Sequence, residues 1–291
     1  MEKVLILGGT GRLGTMLAAR LTDCDVYTLA RRTNTKPNHI QADILTFEDY
    51  RGFDTVIHCA AMKDVAKCET QIEDCIATNV TATAFALRAA RAAGVGKYIY
   101  ISTDMAVEPQ SVYGASKKLA DALVIGAAGD GIMQTAVVRL GNIIASEGSI
   151  FNTFHRLSNE LGYVPVTDER MTRFLMRAED CADFVIEVAR QRDLCGDIFA
   201  PRCKSYRVVD VARAVAPDKP QKIVGLRAGD MLAVIMVAQG EVSRTIVEER
   251  WYRIGRSSGN LGVSRELNSA NNPEFATVEE LAALWREISS K

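Results

Sequence analysis

The stretch VLILGGTGRLG, residues 4–14, constrains this chain more than any other. An apolar run at 4–7 passes at once into glycines at positions 8, 9, 11 and 14. Leu13, Met16, Leu17 and Leu21 then recur at helical spacing. The glycines read as G-x-x-G-x-x-G through Gly8, Gly11 and Gly14, and as G-x-G-x-x-G through Gly9, Gly11 and Gly14. Without Cβ atoms the turn can be tight, the helix can pack close to the strand, and the backbone can approach a pyrophosphate. N–H groups at the helix start, with the positive end of the dipole, favour that anion. A glycine match alone is weak evidence, but here a strand precedes it and a helix follows it. Gly8, Thr10, Gly11, Arg12, Leu13 and Gly14 are therefore assigned to a dinucleotide cofactor.

The same alternation continues. Short runs rich in Val, Ile and Tyr lie at 26–29, 55–59, 98–102 and 135–139, with helical stretches at 12–22, 76–93 and 115–128 between them. Strand–helix alternation implies a parallel sheet covered on both faces, so the fold class is α/β, a doubly wound Rossmann-type sheet. After about residue 145 the pattern changes. Helices are expected at 151–161, 179–190, 205–216, 230–238 and 277–288, and strands at 164–167, 197–200 and 221–225. Residues 1–145 read as the cofactor-binding domain, with about 175–203 partly returning to it. Residues 146–291 read as mainly a smaller α/β substrate-binding region, with 256–273 as a polar loop.

Bulk properties exclude other classes. The 291 residues are 48% hydrophobic and 24% charged, with net charge −1, so no nucleic-acid or membrane-surface partner is expected. No apolar run reaches the roughly 18 residues of a membrane span, and the N-terminus lacks the features of a signal peptide. The seven cysteines are scattered without a CxxC, which suggests free thiols in a cytoplasmic protein. His39, His58 and His155 share no ligand spacing, so no metal site is expected. His58, inside DTVIHCAA, reads as a core or cofactor-side histidine.

Further residues specify the cofactor and the chemistry. The second strand ends in Arg31 and Arg32, where a site for NAD wants a carboxylate; two guanidiniums suit the 2′-phosphate of NADP, or else are solvated loop residues. Asp43 and Ile44 can contact the adenine, and Ala60 and Ala61 let the cofactor lie against the fourth strand. Tyr113 and Lys117 form Y-x-x-x-K, which puts both on one helix face. A phenol with pKa ~10 is no base at neutral pH, but a neighbouring ammonium favours the phenolate. Tyr113 can then take a hydroxyl proton, with Thr103 holding the same hydroxyl.

These features resemble the extended short-chain dehydrogenase/reductases, most closely the inverting UDP-N-acetylglucosamine 4,6-dehydratases of polysaccharide biosynthesis. The resemblance runs from residue 3 to about residue 235 and is carried by AAMKDVAKCE, TNVTAT, ISTDMAVEPQSVYGASK, RLGNIIASEGSIFNTF, VTDERMTRFLM and GLRAGDML. It implies Tyr113 as base for oxidation at C4, Lys117 as its partner and ribose contact, and Asp104 as acid for the departing C6 hydroxyl. It places Lys63, Asn79 and Ser102 on the cofactor side. Lys63, Met105, Asn142, Ser149, Arg173 and Arg227 line the nucleotide-sugar pocket, the two arginines toward the diphosphate. It also implies pairing of helices 76–93 and 111–128 into a homodimer or larger oligomer, unless the second domain buries them.

Two departures matter. The family's S-T-D-K reads S-T-D-M here, so Met105 stands where a lysine would remove the C5 proton, and a thioether accepts no proton. Likewise GLRAGDML has Met231, and Val234 follows, where the family has Lys and Glu. Three readings stay open: a dehydratase with another base, among them Asp104, Lys63 or Tyr113; a 4-epimerase or 4-keto reductase; or a binding relative without turnover. A Met105→Lys variant should create or strongly accelerate water loss from a nucleotide sugar, read as product mass. An unchanged rate would remove the missing-base argument.

Overall fold

The computed structural model describes residues 1–144, 149–226, 229–256 and 262–290. Strand β1 (Lys3–Leu7) leads through the glycine turn into helix α1 (Arg12–Arg20). There follow β2 (Asp25–Ala30), β3 (His39–Gln41) and β4 (Thr55–His58). Short helices α2 (Val65–Thr70) and α3 (Ile72–Ile76) run through a π turn, Ala77–Thr81, into α4 (Ala82–Ala92). Then come β5 (Lys97–Thr103), a 3₁₀ turn (Asp104–Ala106), α5 (Val112–Ala127) and β6 (Gln134–Leu140). The remainder comprises β7 (Asn142–Ile143), α6 (Ile150–Leu161), β8 (Val164–Val166), β9 (Thr172–Met176), α7 (Ala178–Ala189), β10 (Cys195–Pro201), β11 (Ser205–Arg207), α8 (Val208–Val215), β12 (Gln221–Ile223), β13 (Ile235–Val237), β14 (Thr245–Val247), β15 (Trp251–Ile254), β16 (Leu267–Asn268) and α9 (Val278–Ser289).

The main sheet runs β3-β2-β1-β4-β5-β6-β10-β15-β14. It is parallel through β10, and β15 and β14 add an antiparallel edge. The chain winds outward from β1 to β3 and then crosses back to β4. The crevice above the carboxyl ends of β1 and β4 is therefore the switch point where such sheets bind ligands.

Both faces of the sheet are buried, and side-chain alternation along a strand explains how. Leu5 and Leu7 point with Tyr98 and Tyr100 toward α4 and α5 and pack on Ala86, Ala90, Ala120 and Val124. Val4 and Ile6 point the other way with Ile57 and Ile99, onto Leu17 of α1 and Cys181 and Val185 of α7. A separate cluster of Phe151, Val164, Val166, Tyr206, Val211 and Leu281 holds the later helices together. The strand of Cys195–Pro201 returns to the main sheet beside β6, as do β15 and β14 beyond it.

A bidentate ion pair ties the two regions. Arg139, near the end of β6, donates to both Glu241 oxygens at 2.8 Å and to the Met236 carbonyl at 2.7 Å. Burial alone would raise the Glu241 pKa, but the guanidinium fork holds it below the usual carboxylate range. Removing one partner of such a pair costs about 3–5 kcal/mol, because the other charge is left buried.

The structure corrects several expectations. Residues 230–238 form no helix. Ile235–Val237 pair antiparallel with β16, inside the polar stretch expected as a loop. Val234 to Val237 are all buried, and periodicity cannot separate a short buried strand from a buried helix. The helix expected at 205–216 starts at Val208, since Ser205–Arg207 pair with β9. Among the described residues no helix is long and apolar enough to cross a membrane.

Candidate active site

The glycine turn is a backbone cradle. Gly8 has φ +83°, and a Cβ there would sit 2.7 Å from the Ala60 nitrogen at the end of β4. A Cβ on Gly14 would sit 2.5 Å from the Gly8 carbonyl oxygen. Gly11 caps α1 without a side chain, so the first-turn N–H groups are left to an anion. These features fit a dinucleotide pyrophosphate. Thr10, Arg12 and Leu13 lie on the same turn.

Arg31 and Arg32 follow β2 directly and are exposed. Their carbonyls are held by Gln41 at 3.3 Å and by the His39 ring at 3.0 Å. Asp43 accepts from the Leu45 N–H at 2.9 Å in a turn after β3, and Ile44 beside it is buried in the core. Ala60 and Ala61 lie half-buried beyond β4, and Lys63 is exposed on the same loop. Asn79 lies below this loop, fully buried. It accepts from the Met62 N–H (2.8 Å) and donates to the Met62 carbonyl (3.0 Å) and the Ser116 hydroxyl (2.9 Å). Its amide thus braces the loop against α5. His58 is fully buried against the Tyr98 hydroxyl at 2.6 Å, and burial drives its pKa down to about 3, so it is neutral.

The candidate reactive groups stand where β5 gives way to α5. Ser111 caps α5 by accepting from the Gly114 N–H at 3.1 Å. Glu69 of α2 accepts from the Val112 N–H at 2.7 Å. A Cβ on Gly114 would sit 2.3 Å from the Met105 carbonyl oxygen, so α5 lies directly on the 3₁₀ turn. That contact sets Tyr113 beside Thr103. Burial raises the Tyr113 pKa, the Asp104 carboxylate raises it further, and the Thr103 hydrogen bond opposes both. Lys117 is 2% exposed and donates to the Tyr100 hydroxyl and the Ile101 carbonyl, each at 2.6 Å. Burial lowers its pKa to about 8.

Asp104 is 1% exposed. One oxygen accepts from the Thr103 hydroxyl at 3.1 Å, and the other has no hydrogen-bond partner among the described residues. Burial pushes its pKa up to about 6, with Arg173 pulling the other way. A carboxyl held this way keeps a minor protonated fraction near neutral pH and a larger one toward pH 6, and in that form it can give its proton to a leaving group. Met105 donates its N–H to the Thr103 hydroxyl oxygen at 3.3 Å, and its side chain supplies no base.

Of the remaining predicted residues, Arg173 stands near enough to act on Asp104. Arg173 donates to the Thr172 carbonyl at 2.7 Å. Asn142 donates to the Tyr206 hydroxyl at 3.5 Å. Ser149 begins α6 with its buried hydroxyl oxygen unpartnered among the described residues, and the Ser102 hydroxyl is likewise unpartnered. Arg227 lies outside the described residues. Sequence reasoning missed Tyr100, Glu69 and Asp121. Asp121 alone carried a signal, four residues beyond Lys117 on the same helix face.

The chain is similar to several known proteins. Residues 40–256 match the model of the polysaccharide biosynthesis protein family. The UDP-N-acetylglucosamine 4,6-dehydratase (inverting) of Campylobacter jejuni serotype O:2 is 34% identical over 88% of this chain and 83% of its own. The UDP-glucose 4-epimerase of Rickettsia akari is 28% identical over 99% and 91%. The X-ray structure of Pen from Bacillus thuringiensis superposes with a TM-score of 0.89 at 24% identity, over 98% and 97% of the two chains. The fold and the Tyr113–Lys117 site thus define an extended short-chain dehydrogenase/reductase. Within that class, the chain belongs to the polysaccharide biosynthesis protein family, close to the inverting 4,6-dehydratases.

The Asp104 environment has a thermodynamic consequence. Its folded pKa lies above the ordinary 3.8, so its stabilising contribution is complete below that value and is lost as pH rises through about 6. Keeping it ionised at pH 7 costs up to about 3 kcal/mol. Asp104→Asn should therefore melt about 2–5 °C higher than the wild type at pH 7. The gain should fade to nothing by pH 4, which calorimetry at the two pH values checks.

Proposed function

We propose that this chain is an NADP-dependent UDP-N-acetylhexosamine dehydratase, oxidising C4 and eliminating water. The observation that carries this reading is Asp104, a buried carboxyl pushed up to about 6 beside the Thr103 and Tyr113 hydroxyls. A redox-only enzyme needs no proton donor there. The naming of the Campylobacter jejuni relative supports the substrate class. Arg31 and Arg32, with no carboxylate at the end of β2, support NADP over NAD. The Rossmann unit, residues 1–145 with 175–203, would bind the cofactor through the glycine turn, Asp43, Ile44, Ala60, Ala61 and Lys63. Residues from 146 onward, with Asn142, would supply Ser149, Arg173 and Arg227 to the nucleotide sugar.

When bound, the nicotinamide would accept the hydride from C4 and return it to C6 once water has left, so that no net cofactor is consumed. Tyr113 takes the proton of the C4 hydroxyl, which Thr103 holds, and Lys117 supplies the positive charge that favours the phenolate. The C4 ketone acidifies the C5 proton. Asp104 gives its proton to the C6 hydroxyl as that bond breaks, so water leaves. The C5 proton passes to Asp104 once ionised, to Lys63 or to Tyr113, since Met105 cannot take it. Met105 also favours a second reading, a nucleotide-sugar 4-epimerase or 4-keto reductase, in keeping with the Rickettsia akari relative. We place the reaction in the cytoplasm, on the strength of seven free cysteines.

UDP-N-acetylglucosamine with catalytic NADP⁺ in deuterated water separates the readings. The expected product is lighter by one water and carries solvent deuterium, and Tyr113→Phe abolishes it. Unchanged sugar, or stoichiometric NADPH consumption with a 4-keto sugar, would favour the second reading.

The chain also reads as a homodimer or larger oligomer through the helices of 76–93 and 111–128. Ile76 at the start of the first and Leu119 and Leu123 on α5 are exposed. Leu119→Asp with Leu123→Asp should convert the oligomer to monomer in light scattering. A monomeric wild type would rule the pairing out.

A further inference from the structure

Beneath the Tyr113–Lys117 pair lies a set of buried polar groups that the mechanism above does not use. Tyr113, Lys117 and Asp121 recur every four residues along α5, so they share one face. Asp121 is 3% exposed, and neither carboxylate oxygen has a partner in hydrogen-bonding geometry among the described residues. Lys117 is equally buried, and its hydrogen bonds go to two neutral oxygens, the Tyr100 hydroxyl and the Ile101 carbonyl. Its ammonium also lies 4.0 Å from the centre of the Tyr100 ring. A desolvated ammonium and a desolvated carboxylate, each without a counter-charge, would both be costly. Here they stand one helical turn apart.

We propose that Asp121 is a positioning residue for the reactive pair: its carboxylate compensates the Lys117 ammonium and keeps that charge in place beneath Tyr113. The proposal rests on the reading of Tyr113 and Lys117 as the redox pair. The surrounding groups leave Asp121 as the acid that can do this. From β4, His58 is neutral, and the Cys59 thiol just beyond the strand is pushed up to about 12 by burial. From β5, burial holds the Tyr100 phenol in its neutral form. From α3, Cys75 contributes a thiol that donates to the Ser116 hydroxyl. From β6, Arg139 is bonded to Glu241 but also draws the Asp121 pKa down, and exposed Lys118 of α5 does so more weakly. The influence of Asp121 on Lys117 opposes the lowering that burial imposes. Burial raises the pKa of Asp121 itself to about 6, against the pull of the Ser102 hydroxyl beside it.

The consequence for the chemistry is a division of labour. Burial and Asp104 disfavour the Tyr113 phenolate, and the direct effect of Asp121 is in the same sense but smaller, so a Lys117 that lost its proton in the working range would leave Tyr113 without a base form. Asp121 prevents this at a distance, without touching substrate.

The test is a titration of the Lys117 Nζ signal by NMR of ¹⁵N-lysine-labelled, cofactor-free full-length chain, assigned with Lys117→Arg. Asp121→Asn, which keeps shape and removes charge, should lower the Lys117 midpoint by about one pH unit or more. Asp121→Glu should restore most of it. In the wild type, the same signal should show a second inflection near pH 6, as Asp121 takes up its proton. That inflection needs no variant, so it decides the matter even if Asp121→Asn does not fold. An unmoved midpoint in Asp121→Asn, or a wild-type signal with a single inflection, would overturn the proposal. Because this is read without substrate, its failure leaves the dehydratase reading to the deuterium assay, and the reverse also holds.

Discussion

The contact on which the site depends is the seating of α5 on the end of β5. Gly114 lies so close to the Met105 carbonyl that no side chain fits between helix and turn. This brings a strand-end hydroxyl, a strand-end carboxyl and a helix-borne phenol into one small volume. Three further interactions hold the seat: the Ser111 cap, the Glu69 bond to Val112, and the Asn79 amide that braces the cofactor loop against Ser116. The glycine turn plays the matching part at the other end of the crevice, where Gly8 meets Ala60. In both places backbone meets backbone, and both make room for ligands at the carboxyl edge of the sheet.

Desolvation then sets the electrostatics. The same burial acts in opposite senses on acids and bases: it keeps Asp104 and Asp121 partly protonated, draws the Lys117 pKa down, and makes the Tyr113 phenolate harder to form. A carboxyl that gives up a proton is well served by this environment. A phenol that must accept one is not, and it relies on the positive charge of its neighbours. In the reaction we propose, Met105 sharpens the contrast, because its thioether adds nothing to the few groups able to accept a proton.

Away from the site, the Arg139–Glu241 pair and the antiparallel pair β15–β14 fasten the C-terminal half to the Rossmann sheet. Arg139 stands in register with Ser102, so the same strand pairing that carries the reactive residues also carries this clamp. Asn142 and Arg173 then follow on β7 and β9, short strands that pair with each other.

Much of this was legible in the sequence, for a physical reason. Strand runs bounded by glycine, helices of period 3.6, and Tyr113 and Lys117 four residues apart are local patterns, and local backbone geometry enforces them. The α/β class follows from that grammar. What it could not convey depended on burial and on partners distant in the chain. Residues 230–238 look helical until β16 pairs with them. Nothing local to Asn79 shows that its amide bonds Met62 and Ser116, far from it in the chain. Asp121 looks like any acid on a helix until both its oxygens are seen enclosed beside an equally enclosed Lys117. The sequence by itself determined which groups are present and along which helix or strand they run. Only the tertiary structure decided which of them lose water, and desolvation, being a property of the packed whole, is what decides their charge.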